Sequence, residues 1–394
     1  MKKLPDGWKF VKLSDIANIS AGGTPRRNVQ EYWNDGVIPW LKISDLKKTY
    51  INYAEEKITQ KGLDDSSAKI FPKGTIVYSI FATLGAVGIL EISAATNQAI
   101  AGIIPNNSLI ETKYLYHCLQ SEKNNILVKK SHATQDNINL TILRNHEIPL
   151  PPLPAQKKIA AVLEKAEKLR EWRKEADGLI DRFLESTFLE LFGDIEKNEK
   201  GWGTNAIKEV VLKNEKVNPG KDFPTLQFIY VDISSVNSIK GKIISSSEIL
   251  GANAPSRAQQ KIKTGDLLVS TVRPNLNAVA LVPETLDGQI CSTGFCILRA
   301  DRTKILPEYL FIISRSGYFI DSLVKVAKGA SYPAVSNKDI TSLKIQVPPI
   351  ELQNKFANIY KQIEQIREYQ NQSKQKIDNF FNVLMQKAFN GGVN

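Results

Sequence analysis

The chain has 394 residues, of which 42% are apolar and 24% are charged, a composition that excludes a largely disordered, collagen-like or wholly coiled-coil protein. This length is sufficient for two or three separately cored domains. The 52 Lys and Arg residues outnumber the 41 Asp and Glu residues, which gives a formal charge of +11. Such an excess indicates a polyanionic partner, nucleic acid in preference to an acidic membrane surface.

Three cysteines are too few to staple a protein of this size, so a reducing, intracellular setting is expected. The N-terminal lysines are not followed by the apolar run of a signal peptide. The one long apolar stretch, Thr75–Leu90, is interrupted by Gly85 and Gly88 and predicts a pair of buried strands rather than a membrane span. We therefore expect a cytoplasmic protein.

Residues 1–150 are rich in short segments of β-branched and aromatic residues, such as Gln98–Ile104, with a helical segment near 112–122. Two loops there have DNA-reading chemistry. Gly22–Asn28 joins a flexible backbone to a hydroxyl and two guanidinium groups, which can contact phosphates or guanine. For either arginine alone, a solvated basic turn is an equal alternative. The second loop, Lys129–Asn137, is basic and ends in amides that can pair with adenine. The candidate DNA-binding residues of these loops are Thr24, Arg26, Arg27, Lys129, Lys130, His132 and Gln135.

Residues 151–193 predict a long helix, which Pro154 begins and Gly193 ends. At about 1.5 Å per residue, Ala155–Phe192 would form a rod of roughly 57 Å. Apolar residues follow the alternating 3-and-4 spacing of a coiled-coil seam. The seam residues are Ile159, Val162, Ala166, Leu169, Ala176, Ile180, Phe183 and Leu191. Charge runs such as Lys165–Lys174 are interpreted as the solvated face of this rod.

Residues 194–347 repeat the strand-rich pattern, with a buried strand in Asp266–Val272 and a helical segment near 307–316. The loops Arg273–Asn277 and Lys328–Tyr332 are expected to occupy places equivalent to the two loops of the first half. Their candidate DNA-binding residues are Arg273, Asn275, Asn277, Lys328, Ser331 and Tyr332.

Residues 348–394 predict a second long helix, from Pro349 to an exit at Gly391, whose apolar positions repeat those of the first at an offset of 197. The seam is interrupted at Arg173 in the first helix and at Gln370 in the second, again 197 positions apart. A polar residue in a seam costs stability but fixes alignment, so we hypothesise that these two set the register of the helix pair. The fold class is thus α+β, with two mixed α/β domains separated by two long coiled-coil helices.

Catalytic motifs are missing from the sequence. It has neither a phosphate-binding P-loop nor a Gly-x-Gly-x-x-Gly fingerprint. Its three histidines and the pair Cys291 and Cys296 do not form a convincing zinc site. The [DN]-P-P-[FYW] motif of amino-methyltransferases is also missing, because Leu150 precedes Pro151-Pro152. We expect no catalysis and no metal site in the chain itself.

Several motifs together resemble the specificity subunits of Type I restriction-modification systems. They are Leu4-Pro5-x-Gly7-Trp8, Ser20-x-Gly22-Gly23-Thr24-Pro25, Tyr32-Trp33, Ile38-Pro39-Trp40 and Ile148-Pro149-Leu150-Pro151-Pro152-Leu153-Pro154-x-Gln156, with weaker copies in the second half and Val272-Arg273-Pro274-Asn275. The second half lacks Gly-Gly-Thr-Pro, so its recognition loops cannot be assigned from the first.

The resemblance implies a non-catalytic chain of four parts: recognition domain 1–150, spacer helix 151–193, recognition domain 194–347 and spacer helix 348–394. It implies that the helices are antiparallel, so that an internal pseudo-twofold axis relates the two domains, and that these domains read an asymmetric, bipartite double-stranded DNA site. The partners implied are two methyltransferase subunits and a restriction subunit. The former would hold S-adenosylmethionine and methylate adenine N6, and ATP and Mg²⁺ are likewise expected on partner subunits. Two alternatives stay open: recognition fused to an enzyme, and a free-standing DNA-binding regulator with a coiled-coil scaffold.

Overall fold

A computed structural model describes residues 4–81, 83–130, 138–329, 331–389 and 392. The chain divides into two compact units. The first consists of Met1–Lys174 and Asn371–Asn394, and the second of Glu175–Gln370. Each unit therefore contains strand-rich sequence together with part of each long helix. Among the described residues, no helix is both long enough and apolar enough to cross a membrane.

The first unit is a mixed α+β structure built on two sheets. Its strands are β1 Lys9–Lys12, β2 Ala17–Ala21, β3 Ile38–Leu41, β4 Tyr50–Ile51, β5 Glu56–Ile58, β6 Ile70–Phe71, β7 Ile76–Ser79, β8 Val87–Leu90, β9 Ala94–Thr96, β10 Ile100–Pro105 and β11 Glu147–Leu150. Its helices are α1 Leu13–Ile16, α2 Gln60–Asp64, α3 Thr112–Ser121, α4 Lys123–Lys130 and α5 Leu140–Arg144. One sheet has the order β2-β10-β7-β8-β4 and the other β5-β3-β9-β6, while β1 pairs with β11.

The long helices are α6, Leu153–Phe192, and α12, Ile350–Phe389, of 40 residues each. Pro154 lies in the first turn of α6, whereas Pro349 directly precedes α12. Gly193 follows α6 with a φ of 77°, as expected of a glycine that ends a helix. The exit predicted at Gly391 lies outside the described residues.

The second unit repeats this architecture. Its strands are β12 Thr204–Ala206, β13 Val211–Leu212, β14 Glu215–Lys216, β15 Gln227–Val231, β16 Val236–Asn237, β17 Lys242–Ile243, β18 Ser247–Leu250, β19 Ala258–Lys261, β20 Leu267–Ser270, β21 Val279–Leu281, β22 Ile290–Ser292, β23 Phe295–Ala300 and β24 Lys344–Gln346. Its helices are α7 Ile207–Val210, α8 Pro219–Asp222, α9 Pro307–Ser314, α10 Gly317–Val326 and α11 Asn337–Thr341. Its sheets have the orders β13-β23-β20-β21 and β14-β19-β22-β15-β18, with separate pairs β12-β24 and β16-β17.

The central strands β7 and β20 explain why their sequences are apolar without interruption. Successive side chains of a strand point to opposite faces. In β7, Ile76 and Tyr78 join the core that lies against α3, whereas Val77 joins a second core. In β20, Leu267 and Leu268 are divided between two cores in the same way. Each strand is buried on both faces, which confirms the predicted buried strands.

The two long helices pack against each other within each unit, along a face that coincides with the predicted seam at some positions only. In the second unit, Asp181 pairs with Arg367, and Phe192 lies 5.6 Å from Phe356 between ring centroids. Position therefore rises along α6 as it falls along α12, so the helices are antiparallel there.

The seam prediction is right for Ile159 and Ala166, which are buried, and wrong for Phe183. Phe183 is 56% exposed, while its neighbour Leu184 is buried. The same error affects Val162 and Leu169, which are 37% and 43% exposed. These helices carry apolar residues on two faces, and the sequence period alone does not distinguish the packed face from the exposed one. Arg173 and Gln370 are both half-buried, and their role in register stays a prediction.

A buried glutamine fastens the start of each long helix to the body of its unit. Gln156 is fully buried. Its Oε1 accepts from the amide of Glu111 at 2.8 Å, and its Nε2 donates to the carbonyls of Leu109 at 3.1 Å and Pro151 at 2.8 Å. The carboxamide thereby joins the entry to α6 with the segment that begins α3.

Gln353, 197 positions later and also fully buried, makes the same three bonds at the same distances. It accepts from the amide of Leu306 and donates to the carbonyls of Lys304 and Pro348. The repeat detected in the sequence is therefore a repeated hydrogen-bonded joint.

We expect Gln156→Ala and Gln353→Ala each to lower the free energy of unfolding by about 1–3 kcal/mol, because buried backbone groups would lose their partners. Chemical denaturation of each variant measures this. Gln365→Ala, at an exposed position of α12, is the matched control and should change stability by less than about 0.5 kcal/mol. Equal stability of all three variants would contradict the prediction.

Candidate nucleic-acid interface

The Gly22–Asn28 loop, which follows β2, packs closely against neighbouring segments of the first unit. A Cβ on Gly22 would lie 2.1 Å from Oγ1 of Thr96, and one on Gly23 would lie 2.3 Å from the backbone of Ser67. Only glycine allows so close an approach. The indole Nε1 of Trp40 donates to the carbonyl of Gly23 at 2.9 Å. The loop is therefore ordered before any ligand arrives.

Arg27 contacts two aromatic rings and a carboxylate, although its side chain is 53% exposed. Its guanidinium carbon lies 3.9 Å from the ring centroid of Trp33 and 4.6 Å from that of Trp40. Its Nη1 donates to the Glu56 carboxylate, which also accepts from Lys42 at 3.0 Å. The bond from Arg27, followed by that from Lys42, lowers the pKa of Glu56, so this carboxylate is charged at neutral pH. The charge of Arg27 is thus already compensated within the unit.

The other two candidate residues of this loop differ in whether their side chains have hydrogen-bond partners. The Thr24 hydroxyl, half-buried, donates to Oε1 of Gln98. Arg26 is exposed, and no hydrogen bond or ion pair within the described chain engages its side chain. Its carbonyl accepts from Nε1 of Trp33 at 3.1 Å. The backbone of Arg26 is fixed while its guanidinium is free to bind.

The predicted loop Lys129–Asn137 is wrong at its start, because Lys129 and Lys130 are the last residues of α4. The residues from Lys123 to Lys130 are compatible with a helix, which their charge pattern alone did not indicate. The remaining candidates of that segment, His132 and Gln135, lie outside the described residues.

In the second unit, the two candidate loops meet. Arg273 donates its backbone amide to the carbonyl of Pro333 at 2.7 Å, and Val272 forms a bridge with Ala334. The Arg273 guanidinium lies 4.6 Å from the ring centroid of Tyr332, whose side chain is 68% exposed. A cation and an open aromatic face are therefore presented together, a combination suited to stacking against bases and to phosphate contact.

Two residues of this site have left-handed backbone conformations. Arg273 has a φ of 50° and Asn277 a φ of 46°, and they flank a short turn around the buried Pro274. The side-chain amide of Asn277 donates a hydrogen bond to the carbonyl of Arg315 at 3.4 Å. Asn275 is exposed at the tip of the turn. Non-glycine residues in this region are strained, and such strain is typical of functional loops.

The remaining candidates lie beside this turn. Lys328 exchanges backbone hydrogen bonds with Ala334, and both Lys328 and Ser331 are exposed. These contacts place Lys328, Ser331 and Tyr332 in one surface with Arg273.

The order of the sheets corrects one expected equivalence between the halves. The Arg273–Asn277 loop joins β20 to β21, so its counterpart in the first unit is the turn between β7 and β8. It is not the counterpart of Gly22–Asn28, which follows β2. The segment Lys328–Tyr332 follows α10, and its expected equivalence with Lys129–Asn137 stays a prediction, because residues 131–137 lie outside the described part of the chain.

The sequence did not predict that Arg27 contacts Trp33, Trp40 and Glu56. The two tryptophans were recognised as motif residues, and their proximity to two arginines was the available signal. Glu56 could not be identified, because only the pairing of β3 with β5, which sets Trp40 beside Glu56, brings it to the site.

Metal-binding groups are not assembled in the part of the chain that the structure describes. No three His, Cys, Asp or Glu side chains there are grouped to hold a metal ion. Cys118, Cys291 and Cys296 are buried and unpaired, and burial raises the pKa of Cys296 to about 12. These thiols are therefore protonated at neutral pH and unsuited to nucleophilic chemistry.

Comparison with known proteins identifies the class to which this architecture belongs. A family model described as "Type I restriction modification DNA specificity domain" matches residues 5–177 and again 199–379. The chain belongs to this family, as its motifs indicated. It is a specificity subunit, not a catalytic one.

Two curated relatives illustrate the similarity. The MjaIX specificity subunit of a Type I restriction enzyme from Methanocaldococcus jannaschii is 26% identical over 392 residues, which cover 91% of this chain and 87% of that protein. The EcoR124I/EcoR124II specificity subunit from Escherichia coli is 30% identical over 168 residues, 41% of each chain. The crystal structure of a Type I S subunit from M. genitalium shares the fold, with a TM-score of 0.56 at 16% identity over 98% of both chains.

The strain at Arg273 predicts an order of stability among its variants. Arg273→Gly should be more stable than Arg273→Ala by about 1 kcal/mol, because a Cβ in the left-handed region is unfavourable. Thermal unfolding of the two variants tests this, and both lack the guanidinium, so its contacts do not enter the comparison. An alanine variant at least as stable as the glycine variant would show that the turn is not strained.

Proposed function

We propose that this chain reads an asymmetric, bipartite sequence in double-stranded DNA and directs adenine-N6 methylation or restriction by partner subunits to that site. One observation carries the proposal: each unit presents an arginine-bearing loop on the same repeated scaffold, but the two loops are chemically different. Arginine is suited both to guanine and to phosphate, which accounts for its place in such loops. Two unlike readers on one chain select two unlike sequences.

The division of labour follows the repeat. Residues 1–150 and 194–347 would each read one block of the target, and the helices of 151–193 and 348–394 would set the gap between the blocks. The formal charge of +11 supports DNA binding that weakens steeply as salt concentration rises.

Exposed apolar residues of the long helices support the attachment of two methyltransferase subunits. In the first unit Leu169 and Trp172 are 43% and 56% exposed. In the second, Ile366 and Tyr369 lie 197 positions later and are 46% and 72% exposed. Large apolar side chains repeated at the surface mark protein interaction sites, and two equivalent copies suit a partner that binds twice.

The chemistry of the system would then reside in the partners. The methyltransferase subunits would hold S-adenosylmethionine, and the restriction subunit would use ATP and Mg²⁺. We place the complex in the cytoplasm, where the three buried cysteines would remain reduced.

Mapping methylated adenines tests the proposal directly. The chain, co-expressed with its methyltransferase subunits, should methylate one asymmetric target with two specified blocks. Arg273→Ala should relax or weaken recognition in one block only, because Arg273 belongs to the second unit alone. Changes in both blocks, or a wild-type target without a gap, would refute the two-reader arrangement.

The interaction surface has its own test. Trp172→Ala and Tyr369→Ala should each weaken the binding of one methyltransferase subunit, and the double variant should weaken both. Native mass spectrometry gives the stoichiometry at several concentrations. Gln365→Ala serves again as the exposed control. If the double variant still binds two subunits with unchanged affinity, these residues are not the attachment surface.

A further inference from the structure

We infer that Arg26 is the arginine of the Gly22–Asn28 loop that contacts DNA, and that its neighbour Arg27 is a positioning residue that acts on Arg26 through Trp33. The inference rests on the proposed function. It separates two adjacent guanidiniums that the sequence leaves equivalent.

Arg27 is poorly placed to bind DNA itself. Its guanidinium is within 3.9 Å of one indole centroid and 4.6 Å of another, and it is bonded to Glu56. The two rings, Trp33 and Trp40, meet edge to face with centroids 5.1 Å apart and form two walls around it. Although the Arg27 side chain is 53% exposed, one of its donors is already engaged by Glu56, so a DNA contact would have to use the remaining donors beside a carboxylate. The carboxylate of Glu56 would also repel an approaching phosphate.

Arg26, in contrast to Arg27, has a side chain without a charged or aromatic partner among the described residues. Its side chain is exposed and, within the described residues, free of ion pairs and hydrogen bonds. Its carbonyl is held by two donors, Nε1 of Trp33 at 3.1 Å and the amide of Val29 at 3.2 Å. An exposed guanidinium on a fixed backbone can bind without the cost of ordering the loop.

Trp33 connects the two arginines. Its ring stacks on the guanidinium of Arg27, and its Nε1 bonds to the carbonyl of Arg26. Arg27 and Glu56 therefore fix the orientation of the indole, and the indole fixes the backbone from which Arg26 projects. Trp40 acts in the same sense on Gly23.

The test uses the full chain assembled with its methyltransferase subunits and a duplex that contains the mapped target. Dissociation constants are measured over a series of salt concentrations. Arg26→Ala should weaken binding about tenfold, as for the loss of one good base or phosphate contact, with an unchanged thermal midpoint. A phosphate contact would also reduce the salt slope by about one, whereas a base contact would relax the methylated target at one position. Either result supports the assignment.

Two further variants test positioning. Arg27→Ala should weaken binding in the wild-type background but cause little further loss when Arg26 is already alanine. Trp33→Phe retains a ring for Arg27 and removes the bond to Arg26, so it should weaken binding although Arg27 keeps its charge. A direct contact by Arg27 predicts the reverse, with normal binding by Trp33→Phe and additive losses in the double variant.

Two outcomes overturn the inference: an Arg26→Ala complex that binds like wild type, or additive losses for the two arginines. They differ from a failure of the proposed function, in which the wild-type complex itself would show no preference for any sequence.

Discussion

The architecture depends on the buried carboxamides of Gln156 and Gln353. Each makes three hydrogen bonds to backbone groups that no secondary structure satisfies, at the point where a long helix begins. They fix the direction of the helix at its start, and further along each helix an ion pair adds a second polar contact with the domain, Lys113 with Glu164 in the first unit and Lys242 with Glu364 in the second. Because the bonds are identical in the two halves, each helix leaves its domain in the same way.

A fixed joint allows the recognition surfaces to diverge. Four strands of each sheet keep their order from one unit to the other, the buried strands β7 and β20 among them, whereas the fifth strand belongs to different sheets in the two units. The recognition loops are not kept. The first unit relies on a glycine-dependent loop braced by two tryptophans, and the second on a strained turn stacked against Tyr332. Specificity can therefore change by altering loops while the framework and the partner-binding helices remain constant.

Much of this fold could be predicted from the sequence, because the repeat and the apolar runs report long-range order directly. The seam was misplaced at Phe183, since a helix with apolar residues on two faces leaves a one-residue ambiguity that only packing resolves. The contacts of Arg27 with Trp33, Trp40 and Glu56 could not be predicted, because only the pairing of two strands brings Glu56 to this site. The loop equivalence failed for a related reason: matching loops by composition ignored which strands they connect.

The two units are interleaved along the chain, since the first consists of Met1–Lys174 together with Asn371–Asn394 and the second lies wholly between them. During synthesis, all of the second unit is available before residues 371–394, which the first unit requires. The core of the first unit includes Phe381, Met385 and Phe389, so part of its apolar surface stays uncovered until these residues have been synthesised. The second unit can thus fold first, and the C-terminal part of α12 then completes the core of the first unit.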